Sequence, residues 1–250
     1  MKLLIDFGNS RCKWTSLSTS ANHYGLLEVN SYTYRSEDSI QRMQEVFEQI
    51  CFDAIQEIHA VNVLGDVFEK EFCAYAEQHF SITNKFYSSQ ANGHGVTLAY
   101  ANPQSYGVDR YAALIAAHHK SSGAKVIIDC GTATTVDVLD ESGKHLGGLI
   151  VPGVALMCAS LENKASGIGE PNQAGSIQLF SDNTADAVYS GSALVLKHGV
   201  QGIIQQIVGN IGQDAAVYVT GGESHMIGID DIEYVDCPNL VLDGLRIMQG

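Results

Sequence analysis

The sequence predicts an α/β protein made of two similar lobes, the first over residues 1–115 and the second over 116–250. A repeated motif carries most of that expectation. LLIDFGNS near the start and IIDCGTAT at mid-chain both read as an apolar run, an Asp, any residue, a Gly, and small amide or hydroxyl residues that lead into a second strand. The two aspartates, Asp6 and Asp129, stand about half the chain apart, which is the spacing a duplicated unit produces. Length agrees: 250 residues, 45% of them hydrophobic, exceed what one core needs and suffice for two.

Taken in order, Leu3, Leu4 and Ile5 before Asp6, and Val126, Ile127 and Ile128 before Asp129, predict buried strands that deliver each Asp at their ends. Gly8 and Gly131 predict tight hairpin turns, since glycine takes positive φ without steric cost. The first hairpin runs to about Leu17, with Arg11 and Lys13 alternating outward either as phosphate neighbours or as a solvated strand face. Residues 24–34 predict a third strand. Ser36 is an N-cap candidate for a helix in which Ile40, Met43, Val46, Phe47 and Ile50 recur at helical spacing. Residues 57–64 read as a strand and 66–80 as a helix. Strand, strand, strand, helix, strand, helix is the order of a ribonuclease-H-like unit, an analogy of fold that carries no function by itself.

A turn-rich stretch over 88–107 follows, and such loops between lobes commonly carry binding residues. Its His94, between Gly93 and Gly95, reads as a surface histidine, and Tyr100 as a packing residue. Gly107, Val108, Asp109 and Arg110 open an Ala-rich helix that runs to Ser121, with His118 and His119 on its surface. After the second hairpin, residues 144–151 predict a strand ending in Pro152 and Gly153, and its Gly147 and Gly148 suggest a close backbone approach. Residues 154–161 predict a helix and 163–181 a loop. Asn183, Thr184 and Ala185 begin a long helix, in which Ser190, Gly191 and Ser192 suit either a dimer seam or packing on the sheet. Residues 215–220 predict a strand running into Gly221 and Gly222, a diglycine that admits a flat ring such as adenine or simply turns the chain. Residues 238–248 close the chain as a helix.

Composition narrows the function classes. With 14 basic against 28 acidic residues, a net charge of −14 repels nucleic acid at long range. An anionic substrate then needs local devices: backbone amides, a cation, and a few placed Arg or Lys side chains. Cys12, Cys51, Cys73, Cys130, Cys158 and Cys237 form no CxxC pair, so neither a zinc knuckle nor a redox motif is indicated and reduced thiols in the cytoplasm are expected. The start opens like a signal peptide but meets Asp6 before an apolar core forms. The most apolar stretch, 147–161, is shorter than a membrane span and contains Pro152 and Gly153. No GxxxxGK[ST] motif occurs, which excludes a P-loop enzyme.

Two sites of chemistry emerge from the residues. Turn amides and hydroxyls at Asn9 and Ser10, and at Thr132 to Thr135, suit phosphate oxygens, and each neighbouring Asp suits a metal or its water. Two such hairpins would clamp one polyphosphate, with the active site in the cleft between the lobes; each Asp alternatively caps its own turn. Asp109 at a helix start is either a cap or a base that accepts a proton from a hydroxyl nucleophile, with Arg110 as a cation beside it.

The order of DFGNS with Lys13, TLAYANP, GVDR, DCGTATTVD, GGLIVPG, Asn183 with Thr184, and TGG resembles that of type III pantothenate kinases, members of the sugar kinase, Hsp70 and actin superfamily. The resemblance spans nearly the whole chain and implies an actin-like ATPase fold and the phosphorylation of pantothenate by ATP, the first step toward coenzyme A. It implies that Asp6, Phe7, Gly8, Asn9, Ser10, Arg11, Cys12, Lys13 and Thr132 bind ATP, with magnesium. It assigns Asp109 as general base and Tyr100, Gly107, Val108 and Arg110 as pantothenate contacts. Asp129 is matched to the site of a monovalent cation, potassium or ammonium, and Thr184 to a contact made from the partner subunit of a homodimer. The chain departs from the family in KASGIGEP at 164–171 where relatives often read KTAxLP, in Ser10 where Thr is usual, and in lacking an Asn shortly after GVDR. Another small-molecule kinase of the superfamily, or a non-enzymatic regulatory homologue, would share the hairpins.

Overall fold

The computed structural model describes residues 1–17, 28–52, 54–164, 176–212, 214–227 and 232–250. Residues 1–120 together with 239–250 form one compact unit, and residues 121–238 form a second. The expected boundary at 115/116 placed the closing helix in the second half, whereas the observed grouping returns it to the first.

In the first unit, β1 (Lys2–Phe7) and β2 (Arg11–Leu17) make the predicted hairpin, followed by β3 (Asn30–Thr33), α1 (Ser39–Gln49), β4 (Glu57–Asn62), α2 (Asp66–Phe80) and β5 (Thr83–Phe86). The strands form one sheet in the order β3-β2-β1-β4-β5, with β1 antiparallel to β2 and parallel to β4. Period-two alternation sends Leu3, Ile5, Phe7 and Cys12 to one face, where they pack with Met43, Val46, Phe68 and Phe72 from the two helices. The Phe7 ring meets Phe68 and Phe72 edge-on at centroid distances of 4.9 and 5.0 Å. The helix α1 starts three residues after the expected cap: Asp38 accepts from the Ile40 and Gln41 amides, and the Ser36 hydroxyl accepts instead from the Asp38 amide. Of the third strand expected over 24–34, residues 24–27 lie outside the described residues.

A short ribbon, β6 (Asn92–Gly93) with β7 (Val96–Thr97), then leads to α3 (Val108–Lys120). His94 sits at its turn with φ +51°. Most of α3 is buried, including Tyr111 and Ala112 through Ala117.

The second unit repeats the plan. Strands β8 (Lys125–Cys130), β9 (Ala133–Leu139) and β10 (His145–Pro152) precede α4 (Val154–Lys164), α5 (Thr184–Ile211), β11 (Ala216–Thr220) and β12 (Val235–Asp236). The sheet order β10-β9-β8-β11-β12 matches that of the first unit, with β8 antiparallel to β9 and parallel to β11. Val126, Ile128 and Cys130 pack with Ala193, Leu196, Val200 and Ile204 of α5. In that helix Ser190 and Ser192 are buried, and the Ser190 hydroxyl accepts from the Gln178 amide at 3.0 Å. Of the loop expected over 163–181, residues 165–175 lie outside the described residues, and with them nearly all of KASGIGEP.

The final helix α6 (Leu240–Met248) belongs to the first unit because Gly244 lets it lie directly on α3. A Cβ at Gly244 would strike the Ala112 backbone, and Lys120 pairs with Asp243 at 2.8 Å across the same seam.

Candidate active site

Each unit presents its hairpin turn at the carboxyl end of its central strand, beside the carboxyl end of that strand's parallel neighbour. Open α/β sheets bind ligands outside such strand ends. Asp6 lies opposite Lys13 across the antiparallel pair and Val61 across the parallel pair. Asp129 occupies the equivalent place, opposite Thr135 and Thr220.

The first turn, Gly8–Ser10, is closed by the Gly8 amide donating to the Arg11 carbonyl at 3.0 Å, and a Cβ at Gly8 would meet that carbonyl at 2.9 Å. Asn9, Ser10 and Arg11 are exposed here. Phe7 and Cys12, by contrast, are fully buried in the core, so only their backbone can reach a ligand. Burial, with Asp6 adding, pushes the Cys12 thiol up, and it is protonated and inert. The Tyr34 amide donates to the Ser10 carbonyl at 3.1 Å. Tyr34 therefore braces the turn from behind, a role its sequence position did not advertise.

In the second unit the turn is shorter than expected. Only Gly131 and Thr132 lie in it; Thr134 and Thr135 belong to β9, and Thr134 is buried. The turn is pinned from outside by Gly153, whose amide donates to the Thr132 carbonyl at 3.0 Å. A Cβ on Gly153 would stand 2.7 Å from both the Gly131 and the Thr132 carbonyls. Gly221, at φ +97°, packs in the same manner against the Cys130 backbone. The space left by its missing side chain is thus filled by protein, and Gly221 is a close-packing device against the end of β8.

The residues assigned to the acceptor converge at the start of α3. Gly107 accepts the first helical hydrogen bond, from the Tyr111 amide at 3.0 Å. The Asp109 carboxylate folds back so that Oδ1 accepts from the Arg110 amide at 2.7 Å and lies 2.6 Å from where a Cβ of residue 107 would be. The glycine makes room for the carboxylate. Arg110 is only 8% exposed, and its Cζ lies 4.5 Å from the centroid of the Tyr106 ring. Tyr106 in turn meets Tyr100 edge-to-face at 4.9 Å and 75°. Tyr100, Val108, Asp109 and Arg110 therefore belong to one cluster, and Tyr106, absent from the sequence expectation, sits at its centre.

Thr184 is the first residue of α5, exposed, behind the Asn183 cap whose Oδ1 accepts from the Asp186 amide at 2.9 Å. It borders a groove of about 990 Å³ within the second unit, lined among others by Pro152, Leu156, Leu161, Val188 and Val195.

A family model described as type III pantothenate kinase matches residues 2–206. The chain belongs to the type III pantothenate kinase family. A relative in that family, named type III pantothenate kinase, from Nitrosococcus oceani is 30% identical over 252 residues, covering 98% of this chain and 92% of the relative. Among solved structures, one titled as a conserved putative Baf family transcriptional activator from Campylobacter jejuni superposes with a TM-score of 0.57 at 20% identity, covering 99% and 97% of the two chains. A putative 2-dehydro-3-deoxygalactonokinase from Sinorhizobium meliloti gives 0.56 at 11% identity, covering 98% and 94%. These two likenesses speak to fold alone, and they agree with the duplicated actin-like ATPase plan of the family.

Proposed function

We propose that this chain transfers the γ-phosphate of ATP to the primary hydroxyl of pantothenate, with Asp109 as general base. The observation that carries the assignment is the arrangement at Gly107 and Asp109, where the missing side chain of one residue is the seat of the other's carboxylate. A carboxylate in the first turn of α3 is favoured in its ionised form by the helix end. It accepts the hydroxyl proton as the oxygen attacks. Phosphoryl transfer otherwise asks mainly for positioning and charge neutralisation. The exposed turn at 8–10 with Asp6 and Lys13, and Thr132 in the second turn, take the nucleotide phosphates, and Tyr100, Gly107, Val108 and Arg110 hold pantothenate.

Hard cations prefer oxygen donors. The magnesium ion that accompanies ATP would take oxygen donors, and Asp6, beside the first turn, is the carboxylate that would hold it or its water. A monovalent cation, potassium or ammonium, suits the single carboxylate of Asp129 beside Thr220. Bound there, it would offset the charge of the triphosphate. A homodimer in the cytoplasm is part of the same reading. Leu156, Leu161 and Val195 are 46%, 43% and 66% exposed along the groove beside Thr184, an apolar surface that a second copy would cover.

Pantothenate-dependent ADP release tests the assignment. Asp109→Asn is expected to cut turnover by about 10²–10⁴ while ATP binding persists, and turnover equal to wild type would remove the base. Omitting potassium and ammonium is expected to lower the rate, and indifference to both would remove the cation from Asp129. A panel of sugar and carboxylate acceptors separates this reading from another kinase of the superfamily.

A further inference from the structure

Three aromatic and cationic groups of the first unit, Arg110, Tyr106 and Tyr100, form a contiguous set that the hydroxyl-activating chemistry does not require. Arg110 carries the charge, and burying a guanidinium costs solvation that some partner must restore. A π face restores part of it and fixes the guanidinium plane without consuming N–H donors. Tyr106 supplies that face at 4.5 Å, from a position 2% exposed. Its backbone is clamped on both sides: the buried Ser89 hydroxyl donates to the Tyr106 carbonyl at 2.8 Å, and the Tyr106 amide donates to the Pro103 carbonyl at 3.1 Å. The Tyr100 ring abuts the same ring at 75°, a favoured aromatic geometry.

We propose that Tyr106 is a positioning residue of the acceptor site, its ring holding the Arg110 guanidinium and the Tyr100 ring in one fixed arrangement that aims the cation at the acceptor's carboxylate. The inference rests on the reading of Arg110 as an acceptor contact. A bland role is available to the same side chain, because an apolar residue just before a helix often packs on its first turn and fixes the direction of the chain. Leucine or methionine would serve that role; neither offers a π face.

Steady-state kinetics in both substrates separate the two. Tyr106→Phe keeps the face and is expected to match wild type. Tyr106→Leu and Tyr106→Met, each checked for a native circular dichroism spectrum, are expected to raise the pantothenate KM by about twentyfold, the scale of a desolvated cation–π contact, with the ATP KM unchanged and kcat little affected. In an Arg110→Ala background the Tyr106 substitutions are expected to add nothing further. If Arg110→Ala leaves the pantothenate KM unchanged, the reading of Arg110 itself fails. If Arg110→Ala raises it and both Tyr106→Leu and Tyr106→Met do not, Arg110 stands and the stack proposal falls. A Tyr106→Phe variant as impaired as Tyr106→Leu, or an equal rise in both KM values, also overturns it. Should Tyr106→Leu fail to fold, Tyr106→Met and the Phe comparison decide alone.

Discussion

Gly107→Ala is the sharpest single probe of the site. The added methyl would stand 2.6 Å from Asp109 Oδ1, and ordinary contact begins at 3.4 Å. Gly107 does not occupy the left-handed region, so alanine brings no backbone strain, and the substitution acts through the carboxylate rather than through the fold. Oδ1 must retreat by roughly 0.8 Å and surrender its bond to the Arg110 amide, since interiors do not absorb such overlaps by compression. Displacements of that size cost about a hundredfold in a positioned catalytic group, or about 2.7 kcal/mol at the transition state. The assay is kcat for pantothenate-dependent ADP release, measured beside ATP affinity and the thermal midpoint, both expected near wild type. A double variant supplies the control. If the methyl works by moving Asp109, Gly107→Ala adds nothing in an Asp109→Asn background, because groups acting as a unit are non-additive. A kcat for Gly107→Ala within about threefold of wild type, or a full additive loss in the double variant, would refute the reasoning.

Three further outcomes follow from packing and turns. Gly244→Ala puts a methyl into the Ala112 backbone, and with no flexible side chain to yield, the cost is about 3 kcal/mol, read in a denaturant titration. Asp38→Ala removes the acceptor for two amides of α1 and is expected to lower stability by about 1 kcal/mol. Asp140 accepts from the Ser142 hydroxyl and from the Ser142 and Lys144 amides, and the Ser142 hydroxyl first among these holds its carboxyl below the usual carboxylate range. Its contribution is therefore fully present above the unfolded value near pH 4 and fades as pH falls through the lower folded value. Asp140→Ala is expected to lower the melting temperature by about 2 °C at pH 7, with the gap to wild type closing below about pH 4.

The sequence exposed some of this structure and concealed the rest for definite physical reasons. Both hairpins were legible because an apolar run ending in Asp-x-Gly states strand and turn together, and the helix over 66–80 was bounded to the residue. The strands β5 and β12 were not anticipated. TNKF and VD have no alternating pattern of their own, and pairing with β4 and β11 makes them strands. Ser36 and Asp38 are both capping residue types, and only the hydrogen bond between them decides which one caps. Tyr106 was hidden beside the motif it serves, since nothing in the spacing of GVDR says what Arg110 lies upon. The seat of the closing helix was equally silent, resting on one glycine whose significance appears only when α3 is beside it.

That seat has a consequence for biogenesis. The amino-terminal sheet waits for its last packing partner until everything from Ser121 to Pro238 has been synthesised, and even Lys2 finds Gln249 at 2.9 Å. The intervening segment holds its own sheet, so a chain truncated after Pro238 should expose the first half to protease while protecting the second. Fusions or trims at the carboxyl end would then injure the part of the molecule farthest away in the gene.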